Sequence, residues 1–142
     1  MKTIILIFLV TTTTSIYSQT KEYAGIYKRH FDINEEGSIE YQLELSPDGT
    51  FTFHNYRKIS AKNQEENQYG KGTWKIEKNK VLYFYTNKKN DLDKKHTLNF
   101  TNTKARYITK SKRDKSDKEV KNHLRFYDSE ISWIKGNKLF KD

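Results

Sequence analysis

The sequence predicts an all-β chain, an up-and-down antiparallel meander of about eight to ten strands closing into a barrel. Three observations carry the prediction. Apolar residues recur with period two along most of the chain, and no useful length keeps a helical period. Turn-forming residues interrupt the alternation at short intervals. Tight turns also alternate with long polar connections, the pattern expected of a barrel with one closed end and one open mouth.

The first eighteen residues stand apart from the meander. Lys2 supplies a positive start, Ile4 to Val10 form a seven-residue apolar run, and Ile16 and Ser18 occupy −3 and −1 of a cleavage site before Gln19. A membrane-spanning helix needs about 20 apolar residues, so the run reads as a secretory signal peptide over 1–18 followed by one domain over 19–142. The mature chain is expected to be exported to a periplasm or secreted. With no cysteine it offers no lipid attachment point, disulfide or thiolate chemistry. Loss of Lys2 leaves 26 basic residues against 18 acids, a net charge of +8. Such a balance reads either as a preference for anionic surroundings or, more simply, as a soluble surface rich in lysine.

Within the domain, Ile39, Tyr41, Leu43 and Leu45 alternate with polar neighbours. Pro47-Asp48-Gly49 forms the next turn and sets Leu45 opposite Phe51 and Leu43 opposite Phe53. A loop at Lys78-Asn79-Lys80 places Trp74 opposite Phe84 and Ile76 opposite Leu82, with a positive φ at Asn79 or its neighbour. By the same rule, Asn102-Thr103 sets Phe100 on Ala105 and Leu98 on Tyr107. Asp128-Ser129 sets Phe126 on Ile131 and Leu124 on Trp133, and Gly136-Asn137 returns Ile134 to Leu139. Successive connections then fall at opposite ends.

That parity gathers the long connections 32–38, 57–68, 87–95 and 109–122 at one mouth, with net charges of −3, +1, +2 and +3 respectively. Ser116-Asp117-Lys118-Glu119 reads as a capping box, so 117–122 is expected to be either a short lid helix or an unstructured lysine-rich loop.

Gly25-Ile26-Tyr27 matches a Gly-x-Trp/Tyr first strand. Together with Asp48-Gly49-Thr50-Phe51, Gly72-Thr73-Trp74-Lys75-Ile76 and Val81-Leu82-Tyr83-Phe84, it gives the chain a pattern that resembles the small exported bacterial lipocalin-like, or calycin-type, β-barrels. The resemblance implies a barrel whose interior takes an apolar small molecule. It also implies a C-terminal arginine packed on the first-strand aromatic, for which Arg125 is the candidate.

An enzyme would need converging polar groups, and the sequence offers little of that kind. His30, His54, His96 and His123 lack close metal spacing, with His30-x-Asp32 the nearest approach to a ligand pair. Asp91-x-Asp93 lies among loop lysines, the serines lack a nucleophile-elbow context, and there is no glycine-rich phosphate loop. Asn99-Phe100-Thr101 is a formal glycosylation sequon inside an expected strand. The basic run from Lys104 to Lys121 has the charge for nucleic acid but no recognition motif, and the aromatics fall at core parity. Neither a cofactor, a metal nor a nucleic acid is expected.

Two noncatalytic readings follow. In the first, a small apolar or amphiphilic ligand enters a lumen lined by Tyr41, Leu43, Phe51, Phe53, Trp74, Leu82, Phe84, Leu98, Tyr107, Phe126 and Trp133. Lys112, Arg113 and Lys115 at the mouth would contact its anionic head. In the second, the rings fill a solid core and the basic loops contact an anionic envelope component, whether lipid, polyanion or protein.

Overall fold

The computed structural model describes residues 20–142, so the expected signal peptide lies outside the described residues. A helical turn over 20–23 leads into nine strands. They are β1 (Gly25–Asn34), β2 (Gly37–Leu45), β3 (Thr50–Lys58), β4 (Glu66–Glu77), β5 (Val81–Tyr85), β6 (His96–Leu98), β7 (Thr103–Ile108), β8 (His123–Asp128) and β9 (Lys138–Lys141). Eight close into an antiparallel barrel in the order β3-β2-β1-β9-β8-β7-β5-β4, with β4 returning to β3. The chain ends meet where Tyr27 faces Lys141 and Lys28 faces Phe140.

The first two expected turns hold their expected registers. Leu45 faces Phe51 and Leu43 faces Phe53 across a turn in which Gly49 has φ 88°. Trp74 faces Phe84 and Ile76 faces Leu82, and the intervening loop places both Asn79 (φ 63°) and Lys80 (φ 57°) in the left-handed region. In each case a three-residue loop joins strands whose buried faces already agree.

The three later hairpins are corrected. A turn does form at Asn102 (φ 63°), where the Thr103 N–H donates to the Phe100 carbonyl at 2.9 Å. Phe100 and Leu98 nevertheless pair with neither Ala105 nor Tyr107. Ala105 instead faces Leu82 and Phe126, while β6 adds in parallel to β4, with Tyr69 opposite His96 and Gly70 opposite Leu98. The cause is packing. β5 ends at Tyr85 and leaves the first half of β4 open along that edge, and Gly70 has no side chain to block a ring. A Cβ at Gly70 would lie 2.7 Å from the Phe100 ring. Phe100 uses that space and is fully buried, in contact with Phe51, Phe53 and Phe84.

Likewise, Phe126 and Leu124 do not pair with Ile131 and Trp133, and Ile134 does not return to Leu139. Leu124 faces Leu139, the Phe126 N–H donates to the Asn137 carbonyl, and the Gly136 N–H donates to the Phe126 carbonyl. Between them, residues 132–136 form turns that bury Ile134 completely and pack Ile131 and Trp133 on the core. An exposed hairpin would leave those side chains in water, and burying each contributes roughly 1.5–3 kcal/mol.

Counting β6 out of the ring changes the parity of everything after it. The 34–37, 58–66, 86–102 and 129–137 connections share one end. The 46–49, 78–80 and 109–122 connections share the other, together with the 20–23 turn. Contacts agree: Asn34 Nδ2 donates to the Ile59 carbonyl at the first end, and Lys80 Nζ donates to Thr109 Oγ1 at the second. The expected single mouth formed by all four long loops is therefore wrong; 109–122 lies opposite the other three. Of the two readings of 117–122 the irregular loop is the one formed, with a turn at 112–113, a bend at 116–117 and no helix. There the Asp114 carboxylate accepts from the Ser116 N–H at 2.9 Å, a local turn that competes with helix nucleation in so short a segment.

Candidate functional site

The inward residues of the eight strands meet across the barrel. Tyr41, Leu43, Phe51, Phe53, Trp74, Leu82, Phe84, Leu98, Tyr107 and Phe126 are all buried, none more than 9% exposed. Phe51 meets Phe84 edge-on at 5.2 Å, Phe84 meets Phe126 at 5.6 Å, and Phe53 meets Phe100 at 5.0 Å between ring centres. Trp133 is half-buried and stacks on Tyr41 at 5.6 Å and 11°. The predicted lumen set thus converges, at the end closed by residues 129–137 as much as in the middle. The buried core also holds Tyr23, Tyr27, Leu45, Phe100, Ala105, Leu124, Ile134 and Leu139, which that set leaves out. Tyr27 was read only as part of a motif, while Phe100, Leu124, Ile134 and Leu139 were assigned to hairpins that do not form.

The first-strand aromatic is held by a cation, though not by Arg125, which is exposed on the outside of β8. Lys141 Nζ lies 5.8 Å from the Tyr27 ring centre and 5.9 Å from that of Tyr107, and it donates to the Glu22 carbonyl at 2.8 Å. Burial lowers the Lys141 pKa, and the nearby Glu22 carboxylate opposes the shift. The Tyr27 hydroxyl donates to the Tyr23 carbonyl at 2.6 Å, and burial raises its pKa far above the usual phenol range.

One polar group among the inward residues is incompletely satisfied. Asn55 on β3 faces Tyr41 on one side and Gln68 on the other, and is 6% exposed. Its Nδ2 donates to Gln68 Oε1 at 2.9 Å, while its Oδ1 is buried without a protein partner. A buried carbonyl left unpaired costs about 1–3 kcal/mol, so this corner of the interior has unmet capacity for a donor.

Three histidines lie along the outer face of β1–β4 and β6. The His30 ring is engaged at both nitrogens by carboxylates, 2.8 Å from Asp32 and 3.2 Å from Glu40, and the Asp32 hydrogen bond raises its pKa. His54 contacts Asn67 Oδ1 at 2.7 Å and stacks on Tyr69 at 4.5 Å. His96 contacts Asp93, whose carboxylate also accepts from the His96 and Lys95 backbone N–H groups. Those backbone and imidazole hydrogen bonds hold the Asp93 carboxyl well below its ordinary pKa. Asp91 similarly accepts from the Asn87 N–H at 2.7 Å, so both acids of Asp91-x-Asp93 organise the loop. Among the described residues no cluster of three or more potential ligands is arranged for a metal ion.

Lys112, Arg113 and Lys115 are exposed in the 109–122 connection. A cleft of about 570 Å³ beside them is lined by Glu22, Asn79, Lys80, Arg106, Thr109 and Lys112, among others. It lies at the opposite end from Trp133. It brings Lys112 beside the lumen candidate Tyr107 and leaves the basic loop apart from Trp133. No helix among the described residues is long and apolar enough to cross a membrane. Comparison of the chain with protein families, curated proteins and solved structures finds no match.

Proposed function

We propose that this chain is an exported noncatalytic interaction barrel, with a core that serves stability and an outer basic surface that contacts an anionic partner. One observation carries the reading: the inward rings occupy the barrel's middle by touching one another, so its recognition chemistry lies outside. The +8 net charge left after cleavage supports the sign of the partner. Export rests on the 1–18 leader. Expression in a secreting host should yield a protein whose mass corresponds to cleavage before Gln19, and an uncleaved chain retained inside the cell would refute export. Retention on anionic vesicles or polyanion resins should fall steeply as salt rises, because screening shortens with ionic strength. Retention independent of salt would overturn the surface reading.

A second reading is favoured by Asn55. A small amphiphile entering at the 129–137 end would displace Trp133 from Tyr41 and present a hydroxyl or amide donor to Asn55 Oδ1. Fatty acids, fatty alcohols and monoacylglycerols should then shift Trp133 emission in a Trp74→Phe background. Asn55→Leu should weaken the alcohol and not the acid, since an ionised carboxylate carries no donor. No emission change with any of the three would exclude this reading.

A further inference from the structure

The outer face of β4, β5, β7 and β8 combines exposed rings with cations in a regular cross-strand pattern. Lys75 faces Tyr83, and Tyr83 faces Lys104. Both ammonium groups lie 5.8 Å from the Tyr83 ring centre. One strand-pair further on, the Arg106 guanidinium lies 5.8 Å from the Tyr127 ring. Tyr85, two residues along β5 from Tyr83 and on the same face, is 52% exposed, and Tyr127 is 40% exposed. Two tyrosines so spaced on one strand stand roughly 6.6–6.8 Å apart. A cleft of about 310 Å³ runs over them, lined by Thr73, Lys75, Tyr83, Tyr85, Asn102 and Lys104, among others.

The charge of this face is mixed. Lys75, Lys104, Arg106 and Arg125 stand with Glu77 and Asp128, and the pairs Lys75–Glu77 and Lys104–Asp128 are each 3.1 Å long. Any polyanion meets those two carboxylates as like charges, and a DNA strand has no hydroxyl along its length to donate to them. A sugar polymer with a carboxylate on each unit also bears hydroxyls, which can donate to Glu77 and Asp128 while its carboxylates take Arg106 and Arg125. Its ring faces present C–H groups to the electron-rich faces of Tyr83 and Tyr85, the same quadrupole that draws the lysines.

We propose that the face centred on Tyr83 binds an acidic polysaccharide, with Tyr83 and Tyr85 as the stacking platform and Arg106 and Arg125 as the carboxylate contacts. The proposal rests on the surface-binding reading above, and it moves the contact from the basic loop at Lys112 to the barrel wall.

The test compares affinities of the protein as exported for polygalacturonate, for neutral dextran, for single-stranded oligothymidylate and for phosphatidylglycerol vesicles at one salt concentration. Polygalacturonate should bind best. The variant Tyr83→Ala/Tyr85→Ala should lose about tenfold, as for removal of stacking rings elsewhere. The variant Lys112→Glu/Arg113→Glu/Lys115→Glu should lose clearly less than the tyrosine variant, since none of the three lines the cleft over Tyr83 and Tyr85. Unchanged far-UV circular dichroism and urea midpoint verify folding; should the double variant not fold, Tyr85→Ser replaces it. Equal polygalacturonate binding by the tyrosine variants overturns the proposal and leaves the surface reading standing. Tighter binding of oligothymidylate, lost in those variants, overturns it in favour of a nucleic acid. Failure to bind polygalacturonate, oligothymidylate or vesicles overturns both the proposal and the reading it rests on.

Discussion

Trp74 gives the most direct test of how the barrel is held together. It is 4% exposed, faces Phe84 across the β4–β5 pair, and its indole N–H lies 3.1 Å from the Ser46 carbonyl and 3.0 Å from the Thr50 carbonyl. The side chain therefore fills core volume and ties β4 to the β2–β3 turn. Trp74→Ala removes both functions and should cost roughly 3–5 kcal/mol, the range for truncating a large buried aromatic. Trp74→Phe keeps most of the ring and loses the shared hydrogen bond, about 0.5–1.5 kcal/mol, plus a smaller packing deficit. Thr73 and Lys75 point outward, and the Lys75–Glu77 pair is well exposed, so Thr73→Ala and Lys75→Ala should each stay within about 0.5 kcal/mol. Urea unfolding followed by far-UV circular dichroism measures all four without relying on the indole that is removed. Comparable slopes across the set would show that folded and unfolded states are preserved. If Trp74→Ala cost no more than Thr73→Ala, the assignment of faces on β4 would be wrong, and with it the account of the core.

Three further outcomes are expected. Gly72→Ala should destabilise by more than about 1–3 kcal/mol, because its Cβ would lie 2.1 Å from the Tyr85 carbonyl oxygen and would force the β4 and β5 backbones apart; unfolding midpoints close to wild type would refute this. His30 should titrate above its ordinary value by NMR, and Asp32→Asn should bring it down, since the Asp32 hydrogen bond is the main cause of the shift. The sign follows: that contribution is complete below a pH of about 6.5 and is lost as pH rises through the raised native value, so a His30 titration indifferent to Asp32→Asn would refute it. Asp93 behaves oppositely, contributing above a pH of about 3.9 and losing that contribution as pH falls through its depressed native value, so Asp93→Asn should speed amide exchange at Lys95 and His96 at neutral pH, and unchanged exchange would refute the role given to its hydrogen bonds.

How much of this was legible in the sequence depends on how local the deciding interaction is. The registers around Gly49 and Asn79 could be read because a short turn and two alternating strands constrain each other within about twenty residues. The same rule failed at 102–103, where the signal was locally sound and a turn does form. What redirected the chain was Gly70, thirty residues earlier, which leaves room for the Phe100 ring. At 129–137 the alternation of Ile131 with Trp133 reads as a strand, yet Ile134 is fully buried beside the half-buried Trp133, and two neighbours both packed on the core do not fit a strand with one wet face. That apolar pair was the available clue to a packed turn.

The consequences for function come from parity. Removing one strand from the ring sends the 109–122 connection to the other end, and separates Lys112, Arg113 and Lys115 from the Trp133 corner by the height of the barrel. A ligand whose anionic head meets those three residues while its tail reaches Phe53 and Trp133 would have to cross the packed rings between them. Lys112→Glu/Arg113→Glu/Lys115→Glu should accordingly leave any amphiphile-induced change in Trp133 emission untouched. A loss of that response in the triple variant would require head and tail contacts at the same end, and would contradict the β5–β7 pairing on which the present topology turns.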